Sequence, residues 1–195
     1  MAFNAYLVFF NEKDPGIKGE STSVIAKGKG AVEITDYGFG VSMPVTTSRS
    51  DGGGATVGRA NFDVFTCSKG IDLATTELFK FCCLGKNIPK IVLHLFRQGE
   101  GMDTGVVKYA IIVFQHCVIT KVGITGGGEE LPKETLEFNY GVCEYLYKQT
   151  HHETGVGIGA VKRAGWSTVT NRTLKTNVEL DKNEVEAPTA PESDA

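Results

Sequence analysis

The residues best suited to metal chemistry are five cysteines (Cys67, Cys82, Cys83, Cys117, Cys143) and four histidines (His94, His116, His151, His152). Zinc sites draw such ligands from short spacings, Cys-x-x-Cys above all. No Cys-x-x-Cys pair occurs in the sequence, and the histidines do not complete a ligand set. His116 and Cys117 are neighbours, so on a strand they point to opposite faces. His151 and His152 fall in a polar, glycine-flanked stretch that reads as a solvated loop. An odd cysteine count with no export signal argues against a disulfide framework. The cysteines are expected to be small core fillers, and neither a metal nor a cofactor is expected.

Other chemistries fare no better. Gly155-Val156-Gly157-Ile158-Gly159-Ala160 looks at first like a phosphate cradle. A dinucleotide fingerprint, however, needs differently placed glycines between a strand and a helix, and Gly165 soon interrupts any helix here. No Gly-x-Ser-x-Gly elbow occurs, and Ser21, Ser48 and Ser50 have no evident base. Glu129 and Glu130 flank a glycine turn, which is ordinary solvation, and Asn171-Arg172-Thr173 is a chance glycosylation pattern. The sequence offers no catalytic constellation, and the expectation is a protein that is not an enzyme.

What must position such side chains is a set of strands. The chain has 195 residues, enough for one domain. Its 24 glycines exceed the ~7% of ordinary proteins and sit in clusters between short runs rich in Val, Ile, Phe, Tyr and Thr. That punctuation predicts a mainly β fold, a β-barrel of antiparallel strands. The expected strands are 6–10, 32–41, 61–68, 90–97, 106–115, 117–124 and 135–147, the last with a bulge at Gly141. The 106–113 run is apolar on both faces, so a helix or another subunit is expected to cover the second one. One flanking α-helix is expected over 75–84. Thr75 or Thr76 would cap it, Leu78/Cys82 and Phe79/Cys83 would form one apolar stripe, and Gly85 would end it.

Net charge is −3, without the basic excess of a nucleic-acid binder. No apolar run reaches the ~18 residues that would span a bilayer. The opening Met1-Ala2-Phe3-Asn4-Ala5-Tyr6 has no cationic segment and reads as a strand, not as a signal peptide. The chain therefore divides into a folded body, 1–177, with an extended loop at 43–60, and a flexible acidic tail, 178–195. The tail holds six acids and one lysine, a net −5 that leaves the body at +2.

An ordered set of motifs is more specific than any of these features. Gly58-Arg59-Ala60-Asn61-Phe62 is followed by Phe65-Thr66-Cys67-Ser68-Lys69-Gly70-Ile71-Asp72. Then come Ala74-Thr75-Thr76-Glu77-Leu78-Phe79 and Gly85-Lys86-Asn87-Ile88-Pro89-Lys90. The opening residues, with Ile17-Lys18-Gly19-Glu20-Ser21-Thr22, belong to the set, as do Pro132-Lys133-Glu134-Thr135-Leu136-Glu137-Phe138 and Gly165-Trp166-Ser167. Over about 1–175 the chain resembles the Hcp (haemolysin-coregulated protein) family of type VI secretion. Thr75-Thr76 stands where the family often has Ser-Pro, and Asn87 where it often has His.

The resemblance implies a subunit of a homo-hexameric ring. Rings stack into a tube, which a contractile sheath expels behind a spike protein with effectors in the lumen. It implies a protein held in the bacterial cytoplasm before firing and then secreted without a signal peptide. It also assigns ring stacking to the 43–60 loop, with Thr47, Arg49, Asp51 and Arg59 as the polar contacts. A soluble ring-shaped effector carrier or chaperone that forms no tube is the alternative from a different class.

Overall fold

The computed structural model describes residues 4–10, 16–21, 23, 30–45, 58–98, 106–127, 130–151, 157–174 and 180. Its frame is antiparallel. β1 (Asn4–Phe10) pairs with β2 (Val32–Ile34) on one side and β7 (Asn87–Gln98) on the other. β7 pairs with β8 (Val106–Gly127), a strand of 22 residues. Along its other edge β8 takes two partners in succession: β10 (Val142–Tyr147) beside 110–115 and β9 (Glu130–Asn139) beside 118–127.

The sheet divides there. One arm runs from β9 to β6 (Phe65–Gly70) and on to β3 (Asp36–Gly38). The other runs from β10 to β11 (Lys162–Ser167) and β12 (Arg172–Thr173). A separate two-stranded ladder joins β4 (Val41–Ser42) to β5 (Asn61–Phe62). The first arm returns toward its origin, because β3 follows β2 across Thr35, whose N–H donates to the Ser68 carbonyl at 2.9 Å. The fold is thus mainly β and antiparallel as expected. The sheet wraps its core without closing into a continuous barrel ladder, and among the described residues the second arm ends at β12.

Several expected strands are longer or more broken than their apolar runs. The 32–41 run becomes β2, β3 and β4, and 61–68 becomes β5 and β6. Conversely, 106–115 and 117–124 fuse into β8 across His116, whose φ is +56°. Opposite it stands Pro89: the β7–β8 register passes from Ile88↔Cys117 to Lys90↔Gln115. A proline has no N–H for a ladder, so the two irregularities coincide. Tyr140 and Gly141 separate β9 from β10 at the same level, as the phase change at Gly141 predicts.

The core is aromatic at its centre. Phe65, Phe114 and Phe138 are fully buried, with ring centroids 4.6–5.3 Å apart, and Tyr140 packs on Phe114 at 4.8 Å. Contacts at these separations add to the large area each ring removes from water.

The helix α1 (Ala74–Leu84) lays Ala74, Leu78 and Phe81 into this core. Two expectations about it need correction. Phe79 and Cys83 point to solvent, because the buried stripe follows Ala74, Leu78 and Phe81 with Cys82 at its margin. The helix start is capped by Asp72, whose Oδ1 accepts the Ala74 N–H at 3.0 Å, while Thr75 Oγ1 accepts the Asp72 N–H at 3.2 Å. This reciprocal pair has the logic of a capping box. At the other end Gly85 adopts φ +57°, and its N–H and that of Lys86 close on the Cys82 and Phe81 carbonyls. The left-handed conformation there requires glycine.

Beneath the cap lies a buried ionic cluster. Lys69 Nζ is 2.7 Å from Asp72 Oδ1, 2.9 Å from Glu134 Oε2 and 3.1 Å from Thr75 Oγ1. The Lys69 and Glu134 side chains have no exposure, so β6, β9 and the start of α1 are tied at one point.

The second apolar face of β8 is covered differently from expectation. Ile111 and Val113, with Val92 of β7 and Leu146 of β10, pack against Leu180 from the same chain, with Phe10 and Val161 beside them. The helix serves the opposite face. Leu180 itself, placed by composition in the acidic tail, is only 3% exposed. The remainder of 178–195 lies outside the described residues.

Candidate functional site

An apolar groove of about 1060 Å³ opens between the β4–β5 ladder and the arm of β10, β11 and β12. One wall comes from the segment after β3: Phe39, Val41, Met43 and, from β5, Phe62. The other comes from β10 and β11: Cys143, Tyr145, Ala164 and Trp166, with Leu174 at the end. Strand phase explains the second wall, since the pairs Cys143↔Trp166 and Tyr145↔Ala164 put these four side chains on one face. Glu144, Leu146 and Arg163 occupy the other face, where Arg163 Nε lies 3.8 Å from Glu144 Oε1.

β11 is held on its inner side by six residue pairs with β10 and, among the described residues, on its outer side by β12 at Trp166 and Ser167. One further bond, Leu174 N–H to the Gly165 carbonyl at 3.0 Å, extends that contact. A Cβ at Gly165 would stand 2.4 Å from the Leu174 carbonyl oxygen, so glycine is what lets the two segments touch. Lys162, Arg163 and Ala164 are exposed residues.

The other wall carries the root of the 43–60 loop. The β4–β5 pairs Val41↔Phe62 and Ser42↔Asn61 close it, and Gly58 N–H donates to the Pro44 carbonyl at 3.0 Å. Val41 (62% exposed), Met43 and Val45 leave large apolar surface in water. Of the four residues the sequence assigns to ring stacking, Arg59 is described: it is exposed and adjoins the groove-lining Ala60. Thr47, Arg49 and Asp51 lie outside the described residues.

Burial pushes the Cys143 thiol up to about 12, with the Glu144 carboxylate adding to the effect, so it is held as a neutral thiol. Burial also raises Tyr145, Tyr109 and Tyr37, each with a neighbouring tyrosine as a further cause. Cys67 and Cys117 are core fillers as expected, but Cys83 is exposed. No cluster of three or more metal-ligating side chains occurs among the described residues.

Sequence reasoning missed the groove, because its walls come from 39–62 and 143–174 and converge only in space. It also missed His94. This side chain is 5% exposed on β7, and neither ring nitrogen has a hydrogen-bond partner.

A family model described as "Type VI secretion system effector, Hcp" matches residues 9–147. No curated protein matches the sequence. Among solved structures, a type six secretion system protein is 26% identical with a TM-score of 0.73, over 89% of this chain and 100% of its own. Hcp1 from Salmonella typhimurium is 23% identical with a TM-score of 0.67 and the same coverages. A chain of the anti-feeding prophage baseplate, 13% identical, shares the fold at a TM-score of 0.53 over 74% of this chain and 92% of its own.

Proposed function

The chain belongs to the Hcp family of type VI secretion proteins, and from that premise we propose that it is the structural subunit of a secreted tube. Hcp proteins are structural and secreted, not a family of enzymes. Six copies close into a ring, rings stack into a hollow tube, and a contractile sheath drives the tube out behind a spike with effectors in its lumen. The subunit waits in the bacterial cytoplasm before it is secreted.

The observation that carries this reading is the family match over 9–147, most of the folded body. The shape of the molecule agrees with it. A subunit of a stacked tube needs a side-to-side contact that closes and a face-to-face contact that repeats. The apolar groove beside β11 suits the first, since large exposed apolar surface marks a place for another chain. The 43–60 loop suits the second: its polar residues Thr47, Arg49, Asp51 and Arg59 supply contacts that can be made and released as rings stack and separate.

The test is the native mass of the purified protein together with its electron micrographs. Six copies per particle and a ring with a central hole are expected. A stable monomer at micromolar concentration overturns the reading.

A further inference from the structure

We propose that the β8–β9 hairpin of one copy, with the β6–α1 turn beside it, fills the apolar groove of the next copy in the ring. This rests on the ring reading and names the surface that meets the groove.

The hairpin reaches past the rest of the sheet. Among the described residues β7 accompanies β8 no further than Asn87↔Val118, and β6 accompanies β9 no further than Gly70↔Lys133. The end of the hairpin, closed by Gly127↔Glu130, has no other strand beside it. A two-stranded hairpin alone in water is marginally stable. This one leaves Leu131 88% exposed, with Ile124 exposed on the facing strand. Ile71 and Leu73 leave the sheet at the same level, just after Gly70, and they too are exposed.

A ring in which unlike surfaces meet needs two different patches on each copy, one that receives and one that projects. The groove receives, with Val41, Met43 and Tyr145 exposed in its walls. The hairpin projects, with Leu131, Ile124, Ile71 and Leu73. Both patches are fixed to one strand. The groove residues Cys143 and Tyr145 pair with Phe114 and Ile112 of β8, whereas the hairpin is the far end of that strand. A hairpin held in this ladder cannot fold back into its own groove, so the occupant is a second copy.

Charge agrees with this pairing. The sequence at the hairpin turn places two acids, Glu129 and Glu130, ahead of Leu131. Exposed Arg59 adjoins the groove, and exposed Lys162 shares the strand face of Ala164 and Trp166, against Asp63 beside Gly40.

A disulfide ladder tests the contact. The full-length chain carries Met43→Cys and Leu131→Cys, with Cys83→Ala and Cys143→Ala to remove the exposed thiol and the groove thiol. Oxidised and run without reductant, it is expected to give covalent oligomers that climb to six copies and stop, and none when either new cysteine is left out. A ladder that runs past six copies places the hairpin between stacked rings and overturns the proposal. Native mass on the same samples keeps the contact and the ring apart. Hexamers that give no crosslink, or only a disulfide within one chain, overturn the hairpin contact and leave the ring intact. Monomers overturn the ring and the hairpin contact with it. Leu131→Asp gives a second reading: it should raise by about tenfold or more the concentration at which six-copy particles form, with the circular dichroism unchanged. An unchanged concentration overturns the contact.

Discussion

At the scale of single residues, the clearest consequence belongs to His94. Burial is the main cause that lowers its pKa from 6.5 to about 3, and the Lys108 cation is the second. Tyr6 of β1 and Ile111 of β8 flank it in the sheet, so no carboxylate faces it from either neighbouring strand position. The imidazole is therefore neutral in the fold, while in the unfolded chain it takes up a proton near pH 6.5. Between those two values the unfolded state binds more protons. Stability from this group is complete above about pH 6.5 and declines as pH falls toward 3, by at most about 1.4 kcal/mol per unit. His94→Leu should flatten that part of the profile, seen as a smaller difference between urea midpoints at pH 5 and pH 7.5. An unchanged difference would place the acid sensitivity elsewhere. Nothing in the sequence marks His94 for this role, since it reads as one more residue in an apolar run, and its isolation follows from partners contributed by β1 and β8.

At the scale of elements, the buried Lys69–Glu134 pair decides whether α1 stays on the sheet. Its attraction is offset by the cost of taking both charges out of water, so the pair as a whole adds little. Removing one partner is different, because it strands the other charge in the core. Lys69→Met alone or Glu134→Leu alone should each cost about 3–5 kcal/mol. The double variant should recover most of that loss, as read from chemical denaturation of all four proteins. Additive losses would mean the two residues act independently.

The elements themselves were legible to unequal degrees. Runs rich in β-branched and aromatic residues exposed β1, β6, β7 and β9, and Gly85 and Gly141 marked the helix stop and the strand bend because each glycine has a backbone reason to be there. β11 was not legible. Lys162-Arg163-Ala164-Gly165-Trp166-Ser167 has no apolar period, and it becomes a strand only through its six pairs with β10. The helix cap was read one turn too late, since Asp72 lay in the loop and its partner Thr75 was taken for the cap itself. The groove depends on β11, so what hid the strand hid the site as well.

At the scale of the whole molecule, the apolar second face of β8 raised the question of what covers it, and the side-chain pattern pointed to a helix or another subunit. Leu180 gives part of that answer from within the chain, so this face asks less of a second copy and the apolar groove asks more. An interface over the groove has a signature that does not depend on which segment fills it. Hydroxyl-radical labelling should mark Met43, an exposed residue of the groove wall, in a dissociated subunit and mark it far less once particles form. Phe114, buried within one chain, serves as the internal control and should stay unlabelled in both states. Mass spectrometry on diluted and concentrated protein gives both readings at once. If Met43 is marked equally in both, the ring closes through a different surface, and the groove has another use.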